Sequence, residues 1–383
     1  MAQLSEEQEK RATQLHGESF VFDFSPHAEP LSLTPRQREV MLRSLERGQP
    51  LRSTLSAMAN ARIRELEKDS SALAEIQGVW KRSGVNGVQV TLGAMELATA
   101  EWEAVVADLA RCYSRARIGY MSVCTTAEEL ESSQRNGVVG LLLGLQDSLP
   151  IGRGLDRIDT LYNAGVRVIQ LTYNTRNLVG DGCTEREQGG LSRFGIELVR
   201  RLNDLGMIID VSHSGYGTTM DTINVSERPI AFTHVVCRAV YDHARGKTDE
   251  QLRALVESDG YAGIAAVPHF LREGDDQSVE DMMEHIEHAA SIMGVDRVGI
   301  ATDWGFWSAD FPAELHAPAL EEFGRLGFRP EDDLKMGYAL GDFVHWIDWP
   351  ELTRGLVSRG FSDEEIKGFL GLNWLNFMRR SGE

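Results

Sequence analysis

The sequence contains little cysteine, and its arrangement excludes a thiolate metal centre or a disulfide framework. The four cysteines lie at positions 112, 124, 183 and 237, and no two of them form a Cys-x-x-Cys pair. No apolar run approaches the roughly 20 residues that a membrane helix needs. The polar, acidic start MAQLSEEQEK lacks the features of a signal peptide. These absences predict a cytoplasmic protein with reduced thiols and no membrane span.

Clusters of basic residues are also missing. The chain has 39 Lys and Arg against 58 Asp and Glu, a formal net charge of −19, whereas a nucleic-acid-binding protein normally presents a basic face. Neither a GxGxxG nor a Walker A motif occurs. We therefore expect a small-molecule ligand rather than nucleic acid, and no dinucleotide-binding fold.

What the sequence does contain is a series of short apolar runs separated by amphipathic stretches. Eight of these runs are predicted strands, at 19–25, 84–93, 137–146, 165–174, 207–213, 229–234, 261–270 and 297–304. Runs rich in Val, Ile and Leu that alternate with helices are typical of a parallel sheet buried on both faces. Eight such units predict a (β/α)₈ TIM barrel, with an open doubly wound sheet as the alternative. We expect a single domain over 1–383, with a helical insertion at about 31–83.

Polar side chains stand where these predicted strands end. The functional residues of such barrels lie at the carboxyl ends of the strands. The candidates are Ser25, His27, Gln146, Asp147, Tyr173, Asn174, His213, His234, His269 and Asp303. A catalytic zinc takes about three protein ligands and one water, which His213 and His234 with either His27 or His269 would satisfy. The alternative for any one of these histidines is a hydrogen-bonded polar residue.

Two further histidines, His285 and His288, lie beside Glu284 and Glu287 on a predicted amphipathic helix. Their spacing is not that of an HExxH zinc motif. We expect both of them on a solvent-facing side of that helix.

Several segments together resemble the membrane (renal) dipeptidase family of amidohydrolase-like, metal-dependent hydrolases. They include LVRRLNDLGMIIDVSH, PIAFTHVVCRAVYDHARGKTDEQL and DRVGIATDW, together with QLHGESFVFD near the start and GVRVIQLTYNTRN in the middle. The resemblance covers essentially the whole chain in the expected order. It implies a (β/α)₈ barrel in which a glutamate bridges two zinc ions.

Four residues match functional positions of that family. The resemblance implies that His213 and His234 correspond to the two histidines that bind the second zinc. Arg245 corresponds to the arginine that binds the substrate carboxylate, and Asp303 to the aspartate of strand eight that handles protons.

Four other positions depart from the family pattern. Ser25 and His27 stand where the family has a His and an Asp, Gln146 stands for the bridging Glu, and Tyr173 stands for a substrate-contacting His. Two divalent ions close together repel each other strongly unless carboxylates offset their charge, and both ligand carboxylates are replaced here. We therefore expect one divalent ion, zinc, with iron or manganese as alternatives, bound by His27, His213 and His234 with Gln146 nearby.

These positions predict a metal-dependent hydrolase that cleaves an amide or related bond of a small carboxylate-bearing substrate. Asp303 and Tyr173 are the predicted catalytic residues, and Arg245 and Tyr173 the predicted substrate-binding residues. One alternative is a single-metal decarboxylase, lyase or ring-opening enzyme on the same barrel. Another is a catalytically inactive, dipeptidase-like binding protein. The family resemblance also implies a homodimer.

Overall fold

The structure is a computed structural model that describes residues 4–25, 27–29, 33–93 and 102–382. Pro26 and residues 31 and 32 of the predicted helical insertion lie outside these ranges. So do residues 100 and 101 of the amphipathic stretch 100–116, for which the sequence predicts a helix. For Ser25, the first-strand candidate, the backbone alone is described.

Each of the eight predicted apolar segments overlaps one strand, these eight strands are parallel neighbours in one sheet, and two further short strands bring the number in the described chain to ten. The strands are β1 (Phe22–Ser25), β2 (Gly87–Thr91), β3 (Met121–Val123), β4 (Val139–Leu145), β5 (Val166–Gln170), β6 (Ile208–Asp210), β7 (Ala231–Cys237), β8 (Gly246–Lys247), β9 (Tyr261–Ala265) and β10 (Val298–Ala301). Their order is β1-β2-β4-β5-β6-β7-β9-β10, with the short β3 beside β4 and β8 beside β7. Every residue of β2, β4, β7 and β9 is buried, because helices cover the outside of such a sheet and side chains fill its inside.

The two ends of this order approach each other, so the barrel is nearly closed. The residues that follow β10 bond to β1: the Asp303 N–H donates to the Phe24 carbonyl over 2.9 Å, and the Thr302 N–H donates to Asp23 Oδ1 over 2.6 Å. The Thr302 hydroxyl also donates to the buried Asp23 carboxylate. The predicted (β/α)₈ barrel is confirmed.

Helices occupy most of the remaining described chain. They are α1 (Glu6–Glu18), α2 (Pro35–Glu46), α3 (Leu51–Leu66), α4 (Ser70–Ser83), α5 (Trp102–Ile118), α6 (Ala127–Arg135), α7 (Asp156–Asn163), α8 (Arg193–Leu205), α9 (Tyr216–Val225), α10 (Asp249–Glu257), α11 (Pro268–Leu271), α12 (Val279–Met293), α13 (His316–Arg325), α14 (Pro350–Ser358), α15 (Asp363–Lys367) and α16 (Asn373–Ser381). Capping boxes at Ser5, Thr34 and Thr248 begin three of them. Of the helices described, none is long and apolar enough to cross a bilayer.

The predicted helical insertion contains three helices that pack in two different places. Helices α2 and α3 contribute Met41 and Met58 to an apolar cluster that also contains Phe306 and Phe323. Helix α4 instead packs Trp80 edge-on against Trp346, with ring centroids 5.4 Å apart. Helices α2 and α3 of the insertion therefore pack against the cluster around Phe306, whereas α4 packs against Trp346. The single domain over 1–383 stays a prediction.

The prediction that His285 faces solvent is wrong. Its side chain is fully buried on α12, where Nε2 donates to the Leu271 carbonyl over 3.0 Å and Nδ1 accepts from the Cys237 N–H over 2.9 Å. Burial lowers the pKa of His285 to about 4, so the ring is neutral and links α12 to β7 and α11.

Candidate active site

Two imidazole rings meet next to strands β6 and β7. His213 follows β6, and His234 lies within β7, which continues three residues beyond the predicted strand end. The register between β7 and β9 shifts between Phe232 and Val235, and such an irregularity re-aims side chains at a barrel rim. The Nε2 atoms of His213 and His234 lie 3.0 Å apart, and both side chains are buried.

The second nitrogen of each ring has a fixed partner. His213 Nδ1 lies 2.6 Å from Asn174 Oδ1, an acceptor, so Nδ1 donates there. His234 Nδ1 lies 2.8 Å from Thr233 Oγ1. The Thr233 hydroxyl donates to Asp210 Oδ2 over 2.6 Å, which leaves its oxygen to accept from His234. Both rings therefore carry their proton on Nδ1 when neutral.

Electrostatics keep both rings neutral. Burial, followed by the positive charges of Arg245 and Lys247, lowers the pKa of His213 and His234 well below the ordinary value. The two Nε2 lone pairs consequently face each other over 3.0 Å.

Asp303 supplies a carboxyl group on the same side of the barrel. Its backbone has a φ of 50°, a left-handed conformation that aspartate tolerates better than most residues. Burial raises the pKa of Asp303 to about 8; the Arg245 charge opposes this shift, while Asp23 and Asp210 add to it. A carboxyl with this pKa exchanges its proton near neutral pH, as a general acid or base must.

Tyr173 and Gln146 complete the floor of the site. The Tyr173 ring stacks on His213 with centroids 3.9 Å apart, and burial raises the pKa of its hydroxyl, which stays protonated. The Tyr173 N–H donates to Asp147 Oδ2 over 2.9 Å. Gln146 places its amide Nε2 3.5 Å from His234 Nε2. Rotation of this amide by 180° would present its oxygen there instead.

Arg245 is buried behind the two histidines. Its Nη1 donates to the Ser212 carbonyl over 2.6 Å and its Nη2 to the His234 carbonyl over 2.8 Å. Its Nε has no hydrogen-bond partner among the described residues. The contacts show a side chain that supports the backbone of both histidines, and carboxylate binding by Arg245 stays a prediction.

His27 does not join the histidine pair. Its ring packs edge-on against Phe306, with centroids 5.3 Å apart, and burial lowers its pKa to about 4. Within the described ranges, no third imidazole, thiol or carboxylate forms a group with His213 and His234 whose ligand atoms all lie within 4.8 Å of one another. His27 as a metal ligand stays a prediction.

The one group of three metal-capable side chains found among the described residues lies elsewhere, at His269, Asp275 and Asp333. There the Lys335 ammonium contacts both carboxylates, that of Asp333 over 3.3 Å. A side-chain cation thus already pairs with both of these carboxylates and offsets part of their charge.

A cavity opens above Gln146, Tyr173, His213 and Asp303, which together form its floor. Its polar lining consists of Gln146, Tyr173, His213, His269, Asp303 and Lys335. Its apolar lining consists of Val267, Phe270, Phe306, Trp307, Phe323, Leu326, Phe328, Leu334 and Met336. The cavity therefore combines a small reactive floor with extensive apolar walls, as small-molecule sites usually do.

A model of the membrane dipeptidase family (peptidase family M19) covers residues 65–318, more than half of the chain. The chain belongs to this family. The resemblance noted from the sequence is confirmed, and membership of a metallopeptidase family implies a metal cofactor.

Curated relatives and solved structures agree with this assignment. The chain is 28% identical to the dipeptidase verJ of Clonostachys rogersoniana over 263 residues, which are 67% of this chain and 59% of the relative. It is 27% identical to the dipeptidase aclJ of Aspergillus oryzae over 63% of this chain and 51% of the relative. The chain thus spans a little over half the length of these relatives.

The fold is shared with solved barrels at lower identity. An amidohydrolase from Pseudomonas aeruginosa superimposes with a TM-score of 0.75 at 23% identity, over 97% of this chain and 99% of that one. The probable dipeptidase PvdM from the same organism superimposes with a TM-score of 0.74 at 18% identity, over 99% of both chains.

The histidine pair fits the metal that the family implies. Two Nε2 lone pairs that face each other over 3.0 Å repel unless a cation lies between or beside them. Neutral imidazoles whose Nδ1–H groups are held by outer partners are the usual ligands of zinc. His213 and His234 can hold such an ion, and the Gln146 amide lies close enough to assist.

Sequence reasoning missed the residues that orient these ligands. Asn174 was seen as a polar strand-end residue without a role, and Thr233 and Asp210 were not singled out. The loop after β5 returns to bond with this site: Gly182 pairs with Ser214, and a Cβ at Gly182 would lie 2.1 Å from the Asn174 carbonyl. In the sequence, the one sign of this contact is Gly182, a glycine within a polar segment.

Proposed function

We propose that the chain is a metal-dependent hydrolase that cleaves an amide or related bond of a small, dipeptide-like substrate bearing a carboxylate. One observation carries the proposal: in a member of this family, two neutral imidazoles direct unprotonated Nε2 atoms at each other, 3.0 Å apart, beside the floor of a cavity. Asp303, whose pKa burial raises to about 8, lines the same floor.

The proposal includes a single metal ion, zinc, with iron and manganese as alternatives. Of the residues described, no carboxylate forms a compact ligand group with His213 and His234, and the repulsion between two divalent ions would go unbalanced. Gln146, a neutral amide, stands near His234 instead of the glutamate that bridges two ions in the family. When bound, a divalent ion supplies Lewis acidity, which polarises a carbonyl and makes water more acidic.

The chain's own residues supply proton transfer and charge stabilisation. Asp303 accepts a proton from the attacking water and returns it to the leaving amine, because its pKa lies near neutrality. The Tyr173 hydroxyl remains protonated and donates a hydrogen bond to the oxygen on which negative charge develops. Arg245, buried behind the histidines, contributes positive charge to the site, and carboxylate binding by Arg245 is proposed on the family resemblance.

The first experiment measures metal content and hydrolysis together. Elemental mass spectrometry is applied to protein purified without chelator, beside a His213→Ala/His234→Ala double variant. A His345→Ala variant is the matched control, because that histidine is half exposed and far from the pair in sequence. We expect about one metal per chain in wild type and control, none in the double variant, and hydrolysis of dipeptides only where metal is present. Two metals per chain would contradict the single-ion site, and a metal-free wild type would contradict the function itself.

The proposal also includes a cytoplasmic location and a homodimeric state. The four cysteines are unpaired, which agrees with a reducing, cytoplasmic compartment. The homodimer rests on the family resemblance alone, and light scattering of the purified chain tests it directly.

A further inference from the structure

The walls of the cavity differ sharply in character from its floor. The reactive groups come from the ends of separate strands, whereas apolar side chains of one later stretch, residues 304–337, form most of the walls. Phe323, Phe328 and Met336 lie beyond residue 318, where the match to the family model ends. The walls are therefore the part of the site that family membership describes least.

The wall is a continuous series of aromatic rings that begins at the catalytic floor. From Tyr173, ring centroids follow at 6.1 Å to Phe328, then 5.2 Å to Phe323, then 5.1 Å to Phe306. All three steps are edge-to-face contacts, the geometry that aromatic rings prefer. Each ring is held by its neighbours, so the wall is a packed, continuous apolar surface.

The charged groups that line the cavity are either paired with a side chain of opposite charge or lie on the floor. Lys335, the one basic residue among the described lining residues, pairs with Asp275 and Asp333. The His269 ring, stacked on Tyr338 at 5.2 Å, is buried. A charged substituent placed against the rings would lose its hydration and gain no counterion, which is strongly unfavourable.

We propose that the substrate carries a bulky, uncharged apolar group, aromatic or branched aliphatic, beside its scissile bond, and that the wall of Phe306, Phe323 and Phe328 binds this group. The inference rests on the proposed hydrolase function and assigns its substrate class. Burial of a large side chain against such a wall contributes to the binding of the substrate and of the transition state.

The experiment compares matched dipeptides with wild-type protein. Phe, Leu, Glu and Lys are each placed before and after alanine, and kcat/KM is measured for all eight compounds. We expect the best apolar compound to exceed its acidic and basic counterparts at least tenfold. Equal rates across the series would overturn the substrate class while leaving hydrolysis intact.

A change at the edge of the wall tests the location. Leu334 lines the cavity and is only partly buried, so Leu334→Glu is compatible with folding. It should lower kcat/KM for Phe and Leu compounds at least tenfold and raise it for Lys compounds, whereas Leu334→Met should resemble wild type. Leu320→Glu is the matched control, because Leu320 is exposed on α13. An unchanged preference in Leu334→Glu with unchanged metal content would refute the assignment.

Binding without turnover separates this inference from the function it rests on. Ligand-observed NMR compares N-acetylphenylalaninamide with N-acetyllysinamide, on wild type and Leu334→Glu. Preferential binding of the aromatic amide, weakened in the variant, supports the apolar site even if no dipeptide is hydrolysed. Absence of any preference for the aromatic amide would overturn the inference whatever the hydrolysis assay shows.

Discussion

Replacing Asp303 with asparagine should stabilise the metal-free protein in alkaline solution while it abolishes hydrolysis. Burial raises the pKa of Asp303 from 3.8 to about 8, so between these values the folded protein holds a proton that the unfolded chain releases. This favours unfolding progressively as pH rises through that window. The free energy of unfolding of the wild-type protein therefore falls as the pH rises toward 8. The Asp303→Asn variant has no ionisable group at this position and does not lose this contribution.

The size of the effect follows from the pKa shift. Within the window each pH unit changes the free energy of unfolding by about 1.4 kcal/mol, or about 4 kcal/mol from pH 5 to pH 8. Asp303 lines a cavity that water can enter, so we take about half, ~2 kcal/mol. For a chain of 383 residues this corresponds to a Tm difference of about 2–3 °C. Asparagine also tolerates the left-handed φ of 50° at this position.

Calorimetry of chelator-treated protein at pH 5, 6, 7 and 8 gives the required curve for wild type and Asp303→Asn. Asp333→Asn is the matched control, since Asp333 also has a positive φ, of 43°, but its side chain is largely exposed. The Tm gap between Asp303→Asn and wild type should widen with pH, and that of the control should not. A gap that stays constant or narrows toward pH 8 would refute a buried, proton-holding carboxyl.

Three further changes probe the support of the site. Asn174→Leu removes the acceptor for His213 Nδ1 and should weaken metal affinity about 10–100-fold in a competition titration, whereas Asn174→Asp retains an acceptor and should bind metal more tightly than the leucine variant. Arg245→Lys keeps the charge but loses the forked contacts with the Ser212 and His234 carbonyls. A rise confined to KM would indicate that Arg245 binds the substrate carboxylate. A lower metal content would indicate that it supports the backbone at the two histidines. Glu29→Gln leaves Arg115 buried without its carboxylate partner at 2.5 Å and should lower the free energy of unfolding by about 3–5 kcal/mol in urea titrations; an effect below 1 kcal/mol would contradict a buried ion pair.

The strands could be predicted because their apolar runs are continuous. Segments such as VGLLLGL of β4 cannot be amphipathic helices, and their regular alternation with helices left few architectures. Strand β3, three residues long and only partly buried, carries too little pattern to be noticed. His285 was misplaced because its neighbours Glu284 and Glu287 gave the helix a polar appearance, whereas the opposite side of α12 packs on β7.

Residues of the candidate site could be predicted where a polar side chain stands at the end of a predicted strand. His213, Gln146, Tyr173 and Asp303 all line the cavity, as expected of strand-end residues. His234 lies at a shift in the register between β7 and β9, which no residue preference predicts. The wall depends on contacts among rings of the segment 304–337 and between that segment and Tyr173, and composition alone gives no sign of which rings will meet.

The segment 304–337 has a consequence for how such an enzyme can be altered. Seven of the apolar cavity residues belong to this single stretch: Phe306, Trp307, Phe323, Leu326, Phe328, Leu334 and Met336. The predicted catalytic and metal-binding residues Gln146, Tyr173, His213, His234 and Asp303, in contrast, lie on five different strands or in the residues just after them. We therefore expect a library of variants confined to this stretch to change substrate selectivity while Asp303 and Tyr173 stay untouched.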